Sequence, residues 1–200
     1  MDQDLELRYA IVRDREKRFV HNLARSIIQK PRLTGWMFLA PILFIYHAQQ
    51  IRIYQENLSK FRHGVSRIKL HALNMAHMEM SQGRRAREHE LDLYADLDLD
   101  EPCVLKVRDR QLGEVLLLRS HYWKLLNVTG RDYFQLVQNA YKTRNNYKQF
   151  LYILGEKEKK VNRAVLEAFH DDEHSRDVVF RMEERAAALR SQEAETIFSA

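Results

Sequence analysis

The sequence is poor in the residues that bend a chain or cross-link it. Its 200 residues include 6 glycines, 3 prolines and a single cysteine, Cys103. Because tight turns depend on glycine and proline, this scarcity argues against the many hairpins of a β-sandwich or β-barrel. One cysteine excludes a disulfide framework within the chain and any metal site built from several cysteines. A glycine-rich phosphate loop and a recognisable nucleophile motif are also missing, so we expect no catalytic residues, no enzymatic activity and no cofactor.

Charge is plentiful, and it is segregated along the chain. Charged residues make up 30% and hydrophobic residues 45%, a balance that excludes a disordered chain and a polytopic membrane protein. Residues 33–87 carry eight basic and two acidic side chains, whereas residues 88–102 carry seven acidic and no basic ones. This pattern predicts a basic helical hairpin over 1–83, an acidic connector over 84–102 and a C-terminal helical bundle over 103–200.

Apolar residues recur at intervals of three and four along most of the chain, which indicates an all-α fold. The first helix is predicted over about 4–29 and is ended by Pro31. A heptad seam from Phe44 to Glu79, typical of a coiled coil, predicts one long second helix over about 34–80 that packs against the first. Because proline inside a helix removes a backbone hydrogen bond, we expect this long hairpin to be kinked at Pro41.

The C-terminal half predicts four shorter helices. The second of these is expected from Tyr133 to Leu154 and is expected to end at Gly155. Basic residues near three tyrosines in this half offer one nucleic-acid surface. The tyrosines fall on the apolar stripe, however, so we expect them in the core. The basic residues are Arg131, Lys142, Arg144 and Lys148, and the tyrosines are Tyr133, Tyr141 and Tyr147.

The most unusual feature is an uncharged stretch at 33–51, whose strongly apolar part runs from Trp36 to Tyr46. Eleven helical residues rise about 16 Å, roughly half of a ~30 Å hydrocarbon core, so a spanning helix is not favoured. We interpret the stretch as a membrane-contact segment, either kinked or re-entrant around Pro41. The alternative is a core helix or an oligomer interface. The membrane-contact residues would be Trp36, Met37, Phe38, Leu39, Pro41, Ile42, Leu43, Phe44, Ile45 and Tyr46.

Basic residues flank this segment on both sides, which gives it no preferred orientation across a bilayer. They would contact anionic lipid headgroups or another polyanion. These residues are Arg25, Lys30, Arg32, Arg52, Lys60, Arg62, Arg67 and Lys69.

These features favour a non-enzymatic scaffold or interaction protein at the cytoplasmic face of the inner membrane. Its expected partners are anionic lipid and a protein partner or a second copy of the chain. The alternative is a soluble, cytoplasmic basic protein that binds nucleic acid or oligomerises through the apolar segment.

One pattern of metal-ligand residues occurs, Glu167-x-x-His170-x-x-x-His174. It would place three ligands on one face of a helix. A di-iron bundle needs a second Glu-x-x-His motif, and none occurs. We therefore expect an exposed, polar helix start here and no bound metal.

Several short motifs of the C-terminal half resemble those of an uncharacterised bacterial family of helical proteins of unknown function. These are His121-Tyr122, Ala140-Tyr141, Arg144-Asn145-Asn146-Tyr147, Phe150-Leu151, Val161-Asn162 and Glu193-Ala194-Glu195-Thr196-Ile197-Phe198. That family also carries an apolar, proline-containing segment near the position of Trp36–Tyr46. The resemblance implies a bacterial, helical, membrane-associated protein. It implies no activity, so it transfers no catalytic or binding residue.

Overall fold

The structure, a computed structural model, describes residues 3–27, 41–83, 101–169 and 173–199. Over these ranges it contains six α-helices and no strand, which confirms the all-α prediction. The acidic residues 84–100 of the predicted connector lie outside the described part. The helices are α1 (Gln3–Ile27), α2 (Pro41–Gln82), α3 (Pro102–Leu126), α4 (Tyr133–Tyr141), α5 (Arg144–Phe169) and α6 (Glu173–Phe198).

The first two helices form the predicted hairpin. The Tyr9 hydroxyl donates to Asn74 Oδ1 at 2.7 Å, and Lys69 Nζ lies 3.4 Å from Glu16 Oε2, so α1 and α2 are antiparallel. The described part of α2 begins at Pro41, and the predicted start near residue 34 lies outside the described residues. A kink at Pro41 would need helix on both sides of it, and residues 33–40 lie outside the described ranges.

The remaining helices pack around α1 and α2. In three helix pairs, residues further along one helix contact residues further back along the other. Helix α5 is therefore antiparallel to both α3 and α6, and α6 is antiparallel to α1. One continuous apolar core draws buried side chains from all six helices, so the hairpin and the C-terminal helices share their interior. Representative members are Val12, Leu73, Leu118, Leu136, Leu154 and Ile197.

The helix predicted over 133–154 is two helices in the structure. Helix α4 ends at Tyr141, and Lys142 follows with a left-handed φ of 65°. The Thr143 hydroxyl then accepts a backbone N–H of the first turn of α5 at 3.2 Å. Gly155 lies within α5, so the prediction that it ends a helix is wrong. A single glycine costs a helix only about 1 kcal/mol, which the packing of α5 against α3 and α6 outweighs.

Candidate functional site

Charged side chains lie in the interior where α1, α2, α3, α5 and α6 meet. Five of them are less than 10% exposed, and two are partly buried. An isolated buried charge costs several kcal/mol, so the partners of each one decide what the cluster can do. We call these seven residues the buried charge network: Arg15, Glu16, Lys69, Glu114, Glu158, Arg190 and Glu193.

Helix α1 supplies one half of the buried charge network. Arg15 Nη1 donates to Glu16 Oε1 at 2.6 Å, and Arg15 Nε donates to Glu193 Oε1 on α6 at 2.8 Å. Lys69 on α2 approaches the other oxygen of Glu16 at 3.4 Å. Burial disfavours the ionised carboxylate, but the positive charges of Lys69 and Arg15 outweigh this and hold the pKa of Glu16 at about 2.

Helices α5 and α6 supply the other half. Arg190 donates two parallel hydrogen bonds to the two oxygens of Glu158, both at 2.6 Å. Burial opposes ionisation of Glu158, but the adjacent guanidinium lowers the pKa of this carboxyl. The ring of Phe19 lies between the two halves. The cationic groups of Arg15, Lys69 and Arg190 lie 5.0, 5.4 and 5.3 Å from its centroid, within the range of cation–π attraction.

Glu114 differs from the other carboxylates of the buried charge network. Among the described residues it makes no hydrogen bond and no ion pair, although it is only 5% exposed. Burial, followed by the negative charge of Glu158, raises the pKa of Glu114 to about 8. Glu114 therefore holds a proton at neutral pH. The three cations of the network are then balanced by three carboxylates.

A cleft of about 770 Å³ opens onto this network, a size typical of small-molecule sites. Its floor is formed by Lys69, Glu114 and Arg190, and its walls come mainly from α2, α5 and α6. Two wall positions are glycines, Gly64 and Gly155, and a Cβ added at either would meet no atom within 4 Å. The apolar lining includes Ile68, Leu151, Val161, Val165, Met182 and Ala186.

A separate aromatic cluster surrounds His121 on α3. Its Nδ1 lies 2.8 Å from the Tyr141 hydroxyl, and its ring stacks on Phe150 with centroids 4.2 Å apart. Burial lowers the pKa of His121 to about 3, so the ring is neutral at physiological pH and is a packing residue. Tyr147 and Tyr122 complete the cluster. Several of the short motifs that resemble the bacterial helical family therefore lie in the protein core.

The predicted membrane-contact segment is described in part. Trp36, Met37, Phe38 and Leu39 lie outside the described residues. From Pro41 to Tyr46 the backbone is helical and forms the start of α2. Within the described ranges, no helix has both the length and the apolar character needed to cross a bilayer.

The predicted polyanion contacts divide into three groups. Arg25, Arg52, Arg62 and Arg67 are exposed. Lys30 and Arg32, and the side chain of Lys60, lie outside the described residues. Lys69 requires a correction, because it is 3% exposed and pairs with Glu16 inside the buried charge network.

The metal-ligand pattern does not lie on one helix. Helix α5 ends at Phe169 and α6 begins at Glu173, so Glu167 and His174 belong to different helices, contrary to expectation. Glu167 accepts a hydrogen bond from Lys106 Nζ at 2.5 Å, and His170 lies outside the described residues. The described part of the chain holds no group of three histidine, cysteine or acidic residues that could bind a metal.

Most side chains of the nucleic-acid surface predicted in the C-terminal half are buried or paired with an acidic residue. Tyr133, Tyr141 and Tyr147 are at most 6% exposed, which confirms that they are core residues and removes them from base stacking. Arg144 and Lys148 both donate to the carboxylate of Glu195 at 2.5 Å.

Sequence reasoning missed the buried charge network, although a signal was present. Each of its fully buried members falls among the apolar positions of its helix. Glu16 lies four residues after Val12 and three before Phe19, and Glu114 lies seven after Val107 and four before Leu118. A charged residue at such a position is buried if the helix packs as predicted, and it must then find a partner.

Comparison of the chain with family models, curated proteins and solved structures found no match. The resemblance to a bacterial helical family therefore stays a prediction.

Proposed function

We propose that this protein is a non-enzymatic helical interaction protein, anchored at the cytoplasmic face of the inner membrane by its apolar segment 33–51. The observation that carries the proposal is the position of the helical part of this segment. It forms the end of α2 that extends past the described part of α1.

The contacts between α1 and α2 give the length of this extension. Glu6 contacts His77 at 2.9 Å, and the pairs Tyr9–Asn74 and Glu16–Lys69 continue the same antiparallel register. Extended to Ile27, this register places the end of α1 opposite about residue 57. About 16 residues of α2, about 24 Å of helix, then lie beyond the described part of α1. The first eleven residues of α2, 41–51, carry no formal charge.

Exposed cations lie next to this extension, where they would meet lipid headgroups. The Arg52 side chain is 81% exposed directly after the uncharged stretch, Arg62 is exposed two to three turns further along, and Arg25 lies in the last turn of α1. Each such residue near an anionic surface contributes about 1 kcal/mol of attraction. An apolar end flanked by cations matches the chemistry of one leaflet of an anionic membrane.

Flotation with vesicles tests the proposal. The full chain is mixed with vesicles of phosphatidylcholine alone or with phosphatidylglycerol added, and the fraction that floats is measured. We expect flotation with the anionic vesicles and a decrease at high salt, because the cationic contribution is screened. A protein that stays at the bottom of the gradient with both vesicle types would refute the anchoring.

A matched pair of variants locates the contact. Leu43→Asp puts a charge in the apolar segment, and Leu7→Asp makes the same change at a position that is 56% exposed on α1. We expect the first variant to lose flotation at least tenfold and the second to float as the wild type does. If Leu43→Asp instead changes the mass measured by light scattering and leaves flotation intact, the segment is an oligomer interface.

A further inference from the structure

The charged side chains that line the cleft are almost all engaged. Lys69 is held by Glu16, Arg190 is paired with Glu158, and Arg67 also has an interaction partner. The remaining pairs are Lys148 with Glu195, Lys159 with Glu156, and Asn162 with Glu183.

Two polar side chains on α3 make no hydrogen bond among the described residues. Gln111 Oε1 is buried with no hydrogen-bond partner, and the Glu114 carboxyl, 95% buried, has neither a hydrogen bond nor an ion pair. Both residues line the cleft. They are three residues apart on one helix and therefore lie on the same face. A buried polar group without a partner is costly, so a ligand that supplies donors at this point gains affinity.

The charge balance of the buried charge network indicates which kind of donor group the ligand carries. With Glu114 protonated, the buried charge network is neutral, and its cations Arg15, Lys69 and Arg190 already face carboxylates. An anionic ligand would have to displace one of those carboxylates. An ammonium group instead takes the place of the Glu114 proton, which leaves for solvent, and the network stays neutral. Its N–H groups can donate to both Glu114 and Gln111.

The rest of the cleft is suited to an apolar body. Most of the surface that lines the cleft is apolar, and the positions of Gly64 on α2 and Gly155 on α5 leave open space at two of its walls. We propose that this cleft binds an amphiphilic amine, whose protonated amino group lies between Glu114 and Gln111 and whose hydrocarbon part lies along α5 and α6. This site is independent of the membrane anchor.

The proposal requires a specific pH dependence. The charged groups that act on Glu114 are Lys69 from α2, which pairs with Glu16, and Glu158 from α5, which pairs with Arg190 from α6. Their charges are balanced in pairs, and the lowered pKa values of Glu16 and Glu158 keep both carboxylates ionised. Binding of the ammonium therefore releases one proton from Glu114. The affinity should rise about tenfold per pH unit between pH 6 and pH 8, and then level off.

Isothermal titration with three probes of equal chain length tests the ligand class. These probes are decylamine, decanol and decanoate. We expect decylamine to bind at least tenfold more tightly than the other two at pH 8, with one proton released as measured in buffers of different ionisation enthalpy. Tighter binding of decanoate, pH-independent binding of decylamine, or no binding of any probe would overturn the proposal.

Variants then test the assigned residues. Glu114→Gln should keep the affinity for decanol and lose both the preference for decylamine and its pH dependence. Gly155→Phe fills the cleft and should weaken all binding at least tenfold, whereas Leu116→Phe, a control at an exposed position on α3 outside the cleft, should bind as the wild type does. Gly64→Phe fills the cleft from α2 and replaces Gly155→Phe if circular dichroism shows that the latter is unfolded. A Glu114→Gln variant that still prefers the amine would contradict the assignment.

Discussion

Glu114 makes the stability of the protein depend on pH in an unusual direction. The native state keeps a proton on this carboxyl up to a pKa of about 8, whereas the unfolded chain releases it near the ordinary value of 4.5. Between these values the native state binds more protons, so the free energy of unfolding falls as the pH rises. Each pH unit corresponds to about 1.4 kcal/mol, which amounts to about 3 kcal/mol between pH 4.5 and pH 7.

The substitution Glu114→Gln keeps the size of the side chain and removes its titration. We expect the variant to gain stability relative to the wild type as the pH rises from 5 to 8. The gain should be less than about 1 kcal/mol at pH 5, about 3 kcal/mol at pH 7, and constant above pH 8. Urea unfolding followed by far-UV circular dichroism at each pH measures the difference between the two proteins.

An exposed site provides the control. Glu156 also lines the cleft, but its side chain is 43% exposed and pairs with Lys159 at 2.9 Å. Glu156→Gln should therefore leave the pH profile of the wild type unchanged. If the difference between Glu114→Gln and the wild type is the same at pH 5 and pH 8, the buried, protonated state of Glu114 is refuted.

Three further predictions concern the rest of the structure. Arg190→Met should lower the free energy of unfolding, measured in urea, by about 3–5 kcal/mol, because Glu158 would stay buried without its partner. Adding Glu158→Gln to this variant should restore part of the lost stability. Gly155→Ala should stabilise the protein by up to about 1 kcal/mol, because the added Cβ would lie in open space. Gly130→Ala should instead lower the melting temperature, because its Cβ would lie 2.9 Å from the backbone nitrogen of Leu136. The ring signals of His121 should not titrate between pH 5 and pH 8 in NMR spectra; a midpoint near 6.5 would contradict the burial that holds its pKa at about 3.

Local patterns in the sequence are enough to predict the all-α fold and the pairing of its first two helices. The periodicity of apolar residues gives the all-α fold, and the described part of α1, Gln3–Ile27, agrees with the helix predicted over about 4–29 as far as the structure describes it. The break at Lys142 is different. It depends on a left-handed backbone at a lysine, with no glycine, proline or asparagine to mark it, and tertiary packing around Tyr141 imposes it.

The candidate site could not be assembled from the sequence, because it depends on which helix faces meet. The stripe of α1 shows that Glu16 is buried, but it cannot show that Lys69 lies opposite. The prediction that Lys69 lies at the surface is wrong for the same reason. On α2 alone it lies at the edge of the heptad seam, and it is buried because α1 packs against it and supplies Glu16. The environment of Glu114 on α3 likewise depends on three further helices, α2, α5 and α6.

The contact between α1 and α6 makes the folding of this protein a long-range event. Arg15 and Glu193 are 178 residues apart, and both hydrogen bonds between them require the two helices to be docked. Contacts of such sequence separation slow folding, because a long loop must close before they form. They also couple the two helices: when α6 detaches, Arg15 loses a buried partner and α1 is destabilised with it. We therefore expect α1 and α6 to open as one cooperative unit, with similar amide hydrogen-exchange protection, despite lying at opposite ends of the described chain.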